Sequence, residues 1–161
     1  MPVARYWDSD ACIAYLAEEV LDNRFERCAA VIEQAERGDA VIVVSAITLT
    51  EVLYLKGRPK ITPDKEERIR EFFLHEWIVL RVVDRPTAEA ARKHIWQDNI
   101  KPKDSIHLAT ALIANADRLD SFDADLCNLT HKYGSPPLPI GWPDLPLDPM
   151  KEGMFAEEPE P

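Results

Sequence analysis

The sequence predicts an α/β fold, a three-layer α/β/α sandwich around a central, mainly parallel sheet of about four to five strands. Short β-branched runs alternate with longer helical patterns along residues 1–135, as in successive βαβ units. The clearest run, residues 39–44 (DAVIVV), is almost entirely apolar, which is typical of a strand covered on both faces. Both observations indicate a parallel sheet between two layers of helices.

The N-terminal part is predicted to contain two strands and three helices. In chain order these are a strand at about 3–7, helices at about 9–19 and 24–37, a strand at 39–44 and a helix from Ser45 to Gly57. Gly38 is a good stop signal for the second helix, because glycine readily adopts the positive φ found after helix ends. Ser45 can cap the third helix, on which Glu51 lies about two turns from the start.

The C-terminal part repeats the alternation. Its predicted elements are a helix opening at residues 62–64, a strand at 77–83, helices at about 87–98 and 103–116, a strand at 118–122 and a terminal strand near 138–142. Pro63 suits the first position of its helix, where the missing N–H has no partner to lose. The chain therefore carries enough strands for one five-stranded sheet.

Composition suggests one domain, residues 1–142, and a Pro-rich acidic tail, residues 143–161, that is extended or disordered. Eight of the 13 prolines follow Ser135, and half of the net charge of −10 comes from residues 136–161. The acidic balance weakens a nucleic-acid-binding interpretation without excluding it. Three cysteines without ligand spacing, no apolar run long enough to span a bilayer and no signal-peptide pattern favour a cytoplasmic protein that does not bind membranes.

Several acids follow the ends of predicted strands or open predicted helices. They are Asp8, Asp10, Glu51, Asp104, Asp123 and Asp125. Because the carboxyl ends of parallel strands line one crevice, acids that are distant in sequence are expected to converge there. Clustered carboxylates repel one another unless a hard cation such as Mg²⁺ or Mn²⁺ lies between them. Each acid also has an ordinary interpretation as a helix cap, turn residue or solvated helix face.

Four segments carry these acids: residues 6–13 (YWDSDACI), 45–52 (SAITLTEV), 104–112 (DSIHLATAL) and 121–126 (SFDADL). Over about residues 3–142, this pattern resembles the PIN domain, most closely the VapC-type toxin ribonucleases of toxin–antitoxin systems. The third motif is the most specific of the four. The fourth has Ser121 where the family usually has threonine, which keeps the hydroxyl.

The resemblance implies hydrolysis of RNA phosphodiester bonds with Mg²⁺ or Mn²⁺ as cofactor. It makes Asp8, Glu51, Asp104 and Asp123 the catalytic, metal-binding acids, with Asp125 a further candidate ligand. Asp10, Ser45 and Ser121 would support them. Candidates for RNA contact are Lys101, Lys103, Arg58, Lys60 and His107, although a partly buried, hydrogen-bonded histidine is the more ordinary role for the last. The resemblance also implies an antitoxin partner and a homodimer.

Two other functions compete with this one. A haloacid-dehalogenase-type phosphatase would use Asp8 of the Asp8-Ser9-Asp10 sequence as nucleophile, but it leaves Glu51 unexplained. A non-catalytic acidic interaction module with a vestigial site would predict that one or more of the four acids is missing, and all four are present. Cleavage of RNA that depends on a divalent ion distinguishes the three.

Overall fold

Five short strands form the centre of the molecule in the computed structural model, which describes residues 1–52 and 63–146. They are β1 (Val3–Trp7), β2 (Ala40–Ser45), β3 (Ile78–Arg81), β4 (Arg118–Asp120) and β5 (Ile140–Gly141). All pairings are parallel, in the order β3-β2-β1-β4-β5, so the predicted sheet is confirmed. The third strand is shorter than predicted because its pairing with β2 ends at Arg81, opposite Ser45.

Seven α-helices lie in the described part of the chain. They are α1 (Ser9–Leu16), α2 (Arg24–Glu36), α3 (Thr48–Glu51), α4 (Pro63–Phe73), α5 (Arg85–Asp98), α6 (Pro102–Ile113) and α7 (Ala124–Cys127). Gly38 has φ +83°, as expected for the residue that ends the second helix. None of the described helices has the length and apolar character needed to cross a membrane.

The helix that carries Glu51 begins later than predicted. Ser45 is still paired within the sheet, and its Oγ accepts a hydrogen bond from the Ile47 amide (3.3 Å) instead of capping the helix. The helix starts at Thr48, so Glu51 closes its single described turn and the prediction of two turns was wrong. Its predicted continuation to Gly57 lies outside the described residues.

Side chains alternate across the sheet and build two cores. Trp7 packs with α1, α2 and α4 on one face, while its neighbour Tyr6 packs with α6 and α7 on the other. Val43 likewise lies in the second core, between two strand residues of the first. Both faces are covered by helices, which explains the uninterrupted apolar run of β2.

The order of the strands changes direction between β1 and β4: β2 and β3 lie on one side of β1, and β4 and β5 lie on the other. The loops that follow β1 and β4 therefore diverge and border a crevice at the carboxyl edge of the sheet. Asp8 follows β1 there, and Ser121 follows β4. Helix α6 leads back to the amino end of β4, so its first turn, with Asp104, starts at the same edge.

Of the predicted tail, residues 147–161 lie outside the described part. Pro143, its first residue, is fully buried, and its carbonyl oxygen accepts a hydrogen bond from Arg27 Nη1 (2.9 Å). The chain therefore stays packed against α2 just beyond β5.

Candidate active site

Asp8 is the most deeply buried acid of the crevice, with 3% of its surface exposed. It caps α1, and its Oδ1 accepts a hydrogen bond from the Ala11 amide (2.9 Å). Its Oδ2 accepts from the Ser121 hydroxyl (2.5 Å), whose oxygen also accepts from the Asp123 amide (3.0 Å). Burial raises the pKa of Asp8 to about 7, and the negative charge of Asp10 adds to the rise. One hydroxyl therefore links the loops after β1 and β4.

Asp10, Asp104 and Asp123 interact with one another electrostatically. Desolvation and then repulsion from Asp123 raise the pKa of Asp10. The same two causes, in that order, raise the pKa of Asp104 to about 6. Asp123 caps the short helix α7 through Oδ1, which accepts from the amides of Asp125 (2.8 Å) and Leu126 (3.1 Å). The three predicted acids from the first, third and fourth motifs thus lie in one electrostatic neighbourhood.

Glu51 belongs to a hydrogen-bonded chain that reaches into the core. Its Oε1 lies 3.0 Å from His107 Nε2 and accepts from the Ser9 hydroxyl at 2.9 Å. Since a carboxylate can only accept, Nε2 donates in this pair, and His107 Nδ1 is hydrogen-bonded to the Tyr6 hydroxyl (2.7 Å). Burial alone would raise the pKa of Glu51, but the bonds from His107 and Ser9 lower it overall. His107 is buried and hydrogen-bonded, so a structural role inside the protein describes this histidine better than contact with RNA.

These acids do not form a ready-made chelating cluster. Among residues 1–52 and 63–146, no group of three or more His, Cys, Asp or Glu side chains is arranged to hold a metal ion. Asp8 is engaged with Ala11 and Ser121, and Glu51 with His107 and Ser9. The sharing of one ion by all four acids therefore stays a prediction.

Positive charge near the crevice comes from both sides of Asp104. Lys101 lowers the pKa of Asp104 electrostatically, and Lys103 does so for Glu51. Asp125 is exposed and lies 3.9 Å from Lys101, so its carboxylate faces a lysine. The other candidates for RNA contact, Arg58 and Lys60, lie outside the described residues.

Sequence reasoning missed three participants. Ser9 and Tyr6 adjoin or precede Asp8 in the first motif, so their proximity to the site could have suggested them. Arg24 lowers the pKa of Asp10, although it belongs to α2 and to none of the four motifs. Its Cζ lies 4.9 Å from the ring of Phe122, a contact between residues far apart in sequence that no spacing pattern signals.

A fully buried acid next to the site, Asp120, has a different environment. Its carboxylate receives both Arg5 Nε and Nη2 (2.9 Å each) and the Trp7 indole N–H (3.0 Å). Arg118 Nε lies 2.8 Å from Oδ1. Asp120 is thus neutralised by protein cations, whereas Asp8 has no Lys or Arg within ion-pair distance among the described residues.

Solved structures with the same fold include proteins of toxin–antitoxin systems. VapC20 of Mycobacterium tuberculosis, described as a sarcin–ricin-loop-cleaving toxin, aligns at TM-score 0.57 and 15% identity over 76% of this chain and 92% of its own. A toxin–antitoxin complex from Klebsiella pneumoniae aligns at TM-score 0.54 and 18% identity, over 74% of this chain and 86% of its own. VapBC2 from Rickettsia felis, bound to a promoter DNA fragment, aligns at TM-score 0.58 and 15% identity, over 87% of this chain and 99% of its own.

Identities this low establish the shared fold alone. A search of curated protein sequences finds no significant match. The PIN-domain family profile, in contrast, matches residues 5–132, which is most of the chain and includes all four motifs. This match sets aside the haloacid-dehalogenase alternative and confirms the resemblance: the chain belongs to the PIN-domain family.

Proposed function

We propose that this PIN domain is a metal-dependent ribonuclease that hydrolyses RNA phosphodiester bonds, and that it is the toxin of a toxin–antitoxin pair. The observation that carries the proposal is Asp8, a buried carboxylate whose hydrogen bonds among residues 1–52 and 63–146 come only from a hydroxyl and an amide. Burying an uncompensated charge is costly, and a bound cation removes that cost. The raised pKa of Asp104 supports the same need for positive charge.

The donor set suits Mg²⁺ or Mn²⁺. All candidate ligands are carboxylate oxygens, which hard cations prefer. Magnesium is usually held by one or two carboxylates and keeps several waters, so it does not require a preformed cluster of three. Asp8 and Asp104 would hold the ion, with Glu51 and Asp123 completing the site directly or through water. When bound, the ion lowers the pKa of a coordinated water and offsets charge on the phosphate.

The protein's own groups would keep this site ready. Ser121 fixes the Asp8 carboxylate, while His107 and Ser9 keep Glu51 ionised through their hydrogen bonds. Lys101 and Lys103 supply positive charge on the Asp104 side, where a polyanionic substrate needs it. An RNA substrate also agrees with the cytoplasmic location expected from the sequence.

The antitoxin is proposed from the neighbours. Two of the structures with this fold were solved as VapBC2 or as a toxin–antitoxin complex. A small partner that covers the acidic crevice would inhibit cleavage, and co-purification with the product of an adjacent gene would test this. The homodimer stays a prediction, which light scattering of the purified chain can check.

The deciding experiment is cleavage of total RNA by the purified chain with Mg²⁺ or Mn²⁺, with and without EDTA. We expect cleavage that chelation abolishes and that Asp104→Asn removes. Asp39→Asn is the matched control, because this exposed acid precedes β2 at the opposite edge of the sheet. An intact RNA pool with either ion would favour the vestigial interaction module instead.

A further inference from the structure

A cation–aromatic corner borders the acidic crevice on the α2 side. Its members are Arg24, Phe122 and Trp142. The Arg24 Cζ lies 4.9 Å from the ring centroid of Phe122 and 5.7 Å from that of Trp142. The two rings meet edge to face at 5.3 Å. Phe122 stands between Ser121 and Asp123, and Arg24 acts electrostatically on Asp10, so the corner adjoins the site.

Arg24 uses little of its hydrogen-bonding capacity. A guanidinium has five N–H donors. In the described part of the chain its only ion pair is a loose one, with Nη1 3.7 Å from Glu19 Oε2, and its buried Nε has no hydrogen-bond partner. A buried donor without an acceptor is costly in a folded protein. The buried Nε itself is out of reach of an external ligand, but the side chain is 26% exposed, so its Nη groups can meet an anionic acceptor that arrives from outside.

The neighbouring Arg27 shows what a structural arginine looks like here. Its Nη1 donates to the Pro143 carbonyl (2.9 Å) and its Nε to the Asp22 carbonyl (3.2 Å), while its Cζ lies 5.4 Å from the Trp142 ring. Arg27 thus anchors the segment that contains Trp142 to α2. Arg24 is not needed for this anchoring.

Trp142 is partly exposed to solvent. Its exposed fraction is 36%, whereas Phe122, which meets it edge to face, is buried. Exposed aromatic rings beside a cation are the usual platform for unstacked bases of single-stranded nucleic acid, and arginine binds the adjoining phosphate through two parallel hydrogen bonds. The net charge of −10 makes such a local cation more necessary, because RNA is itself a polyanion.

We propose that Arg24 and Trp142, supported by Phe122, form a nucleotide subsite for single-stranded RNA: Arg24 binds a phosphate and a base stacks on Trp142. This inference rests on the proposed ribonuclease function, and it gives the crevice a direction, with the strand entering between α2 and the end of β5. Both contacts tolerate any base, so the subsite contributes affinity and does not read sequence.

The test measures binding of a short, mixed-sequence, fluorescein-labelled single-stranded RNA by fluorescence anisotropy in Mg²⁺, in the Asp104→Asn background to prevent cleavage. Arg24→Met should weaken binding about tenfold and lower the slope of log affinity against log salt by about 0.7, the value of one phosphate contact. Trp142→Leu should weaken binding about tenfold at unchanged slope, and Trp142→Phe should retain most of the affinity.

Arg37→Met is the matched control. It removes the same charge just past the other end of α2, where Arg37 is exposed and only loosely paired with Asp39 (3.4 Å). We expect affinity within about twofold of the parent and an unchanged salt slope, because exposed charges beyond a Debye length are screened. Equal behaviour of the Arg24 and Arg37 variants would overturn the subsite.

Steady-state cleavage by the otherwise unaltered chain separates substrate binding from a purely structural role. Arg24→Met should raise KM about tenfold with kcat within about threefold, whereas a structural arginine would lower the melting temperature and leave the salt slope unchanged. If the parent cleaves RNA and the variant matches it, only the subsite fails. If the parent neither binds nor cleaves RNA, the ribonuclease proposal fails and the subsite with it.

Discussion

Asp8 and Asp120 are two buried aspartates at the ends of neighbouring strands, yet their surroundings differ. Asp120 closes β4 and is surrounded by Arg5, Arg118 and the indole of Trp7. Asp8 follows β1 and, within the described part of the chain, accepts hydrogen bonds only from the Ala11 amide and the Ser121 hydroxyl. The two carboxylates are therefore both buried and both lie at the carboxyl edge of the sheet. They differ in whether the protein supplies a positive charge to pair with them.

This difference separates a structural acid from a candidate functional one. A buried charge is stable when it is paired and fully hydrogen-bonded, and the environment of Asp120 meets both conditions. Asp8 is hydrogen-bonded but, among the described residues, not paired with a cation, and burial raises its pKa to about 7. An acid left without a counter-charge in a crevice is where an external cation would stabilise the folded state.

The largest expected effect is on catalysis at Asp8. Asp8→Asn should lower RNA cleavage by about a thousandfold, because a bound metal stabilises the transition state by several kcal/mol. Single-turnover cleavage measures the loss. Asparagine caps helices as well as aspartate does, so melting in EDTA should show an intact fold. A variant with near-parental cleavage would remove Asp8 from the site.

The next largest effect concerns stability at Asp120. Asp120→Asn should cost about 4 kcal/mol of the free energy of unfolding, because it leaves two arginines around a neutral amide. Urea denaturation of the metal-free protein gives the value. A loss below about 1 kcal/mol would mean that the buried pairings contribute little net stability, and the contrast with Asp8 would lose its basis.

A pH series tests Asp8 through linkage. In the metal-free folded state Asp8 has its pKa raised to about 7, so between pH 4 and pH 7 the folded state binds more protons than the unfolded one. Stability should therefore fall as pH rises through that window, and the fall should be smaller by on the order of 3 kcal/mol in Asp8→Asn, in which the raised pKa of Asp104 still contributes. Denaturant titrations in EDTA at several pH values measure it; parallel profiles for the two proteins would contradict the assignment.

The smallest effect is expected at Ser121, which orients Asp8. Ser121→Ala should reduce cleavage about tenfold, the range typical of groups that orient a metal ligand. Ser121→Thr keeps the hydroxyl and should stay within about threefold of the parent. Equal losses in the two variants would show that the side chain's size matters here and its hydrogen bond does not.

Strands and helix ends were predictable because local chemistry dictates them. The apolar run of residues 40–44 is typical of a strand covered on both faces, and Gly38 can take the backbone angle that ends α2. Asp8 and Asp123 could be placed at one edge because parallel strands all finish there. The start of α3 was misplaced because Ser45 is held in the sheet by β3, which the local sequence does not reveal.

The long-range partners were not predictable. The pairing of Arg5 with Asp120 requires the register in which Trp7 lies opposite Asp120, and Arg24 meets Phe122 only after α2 has packed on the sheet. One-dimensional spacing carries no information about such contacts. For the same reason the compensation of Asp120, which distinguishes it from Asp8, is visible only in three dimensions.

The capping bonds of Asp8 and Asp123 have a practical consequence for anyone preparing an inactive form of the chain. Each carboxylate holds the amides of a helix start with one oxygen, so truncation to alanine would remove a cap worth about 1 kcal/mol together with the chemistry. Asparagine substitutions keep the accepting oxygen and leave both helices anchored. They are the better choice for crystallisation with RNA or an inhibitor protein, because any lost activity then does not come from a lost helix cap.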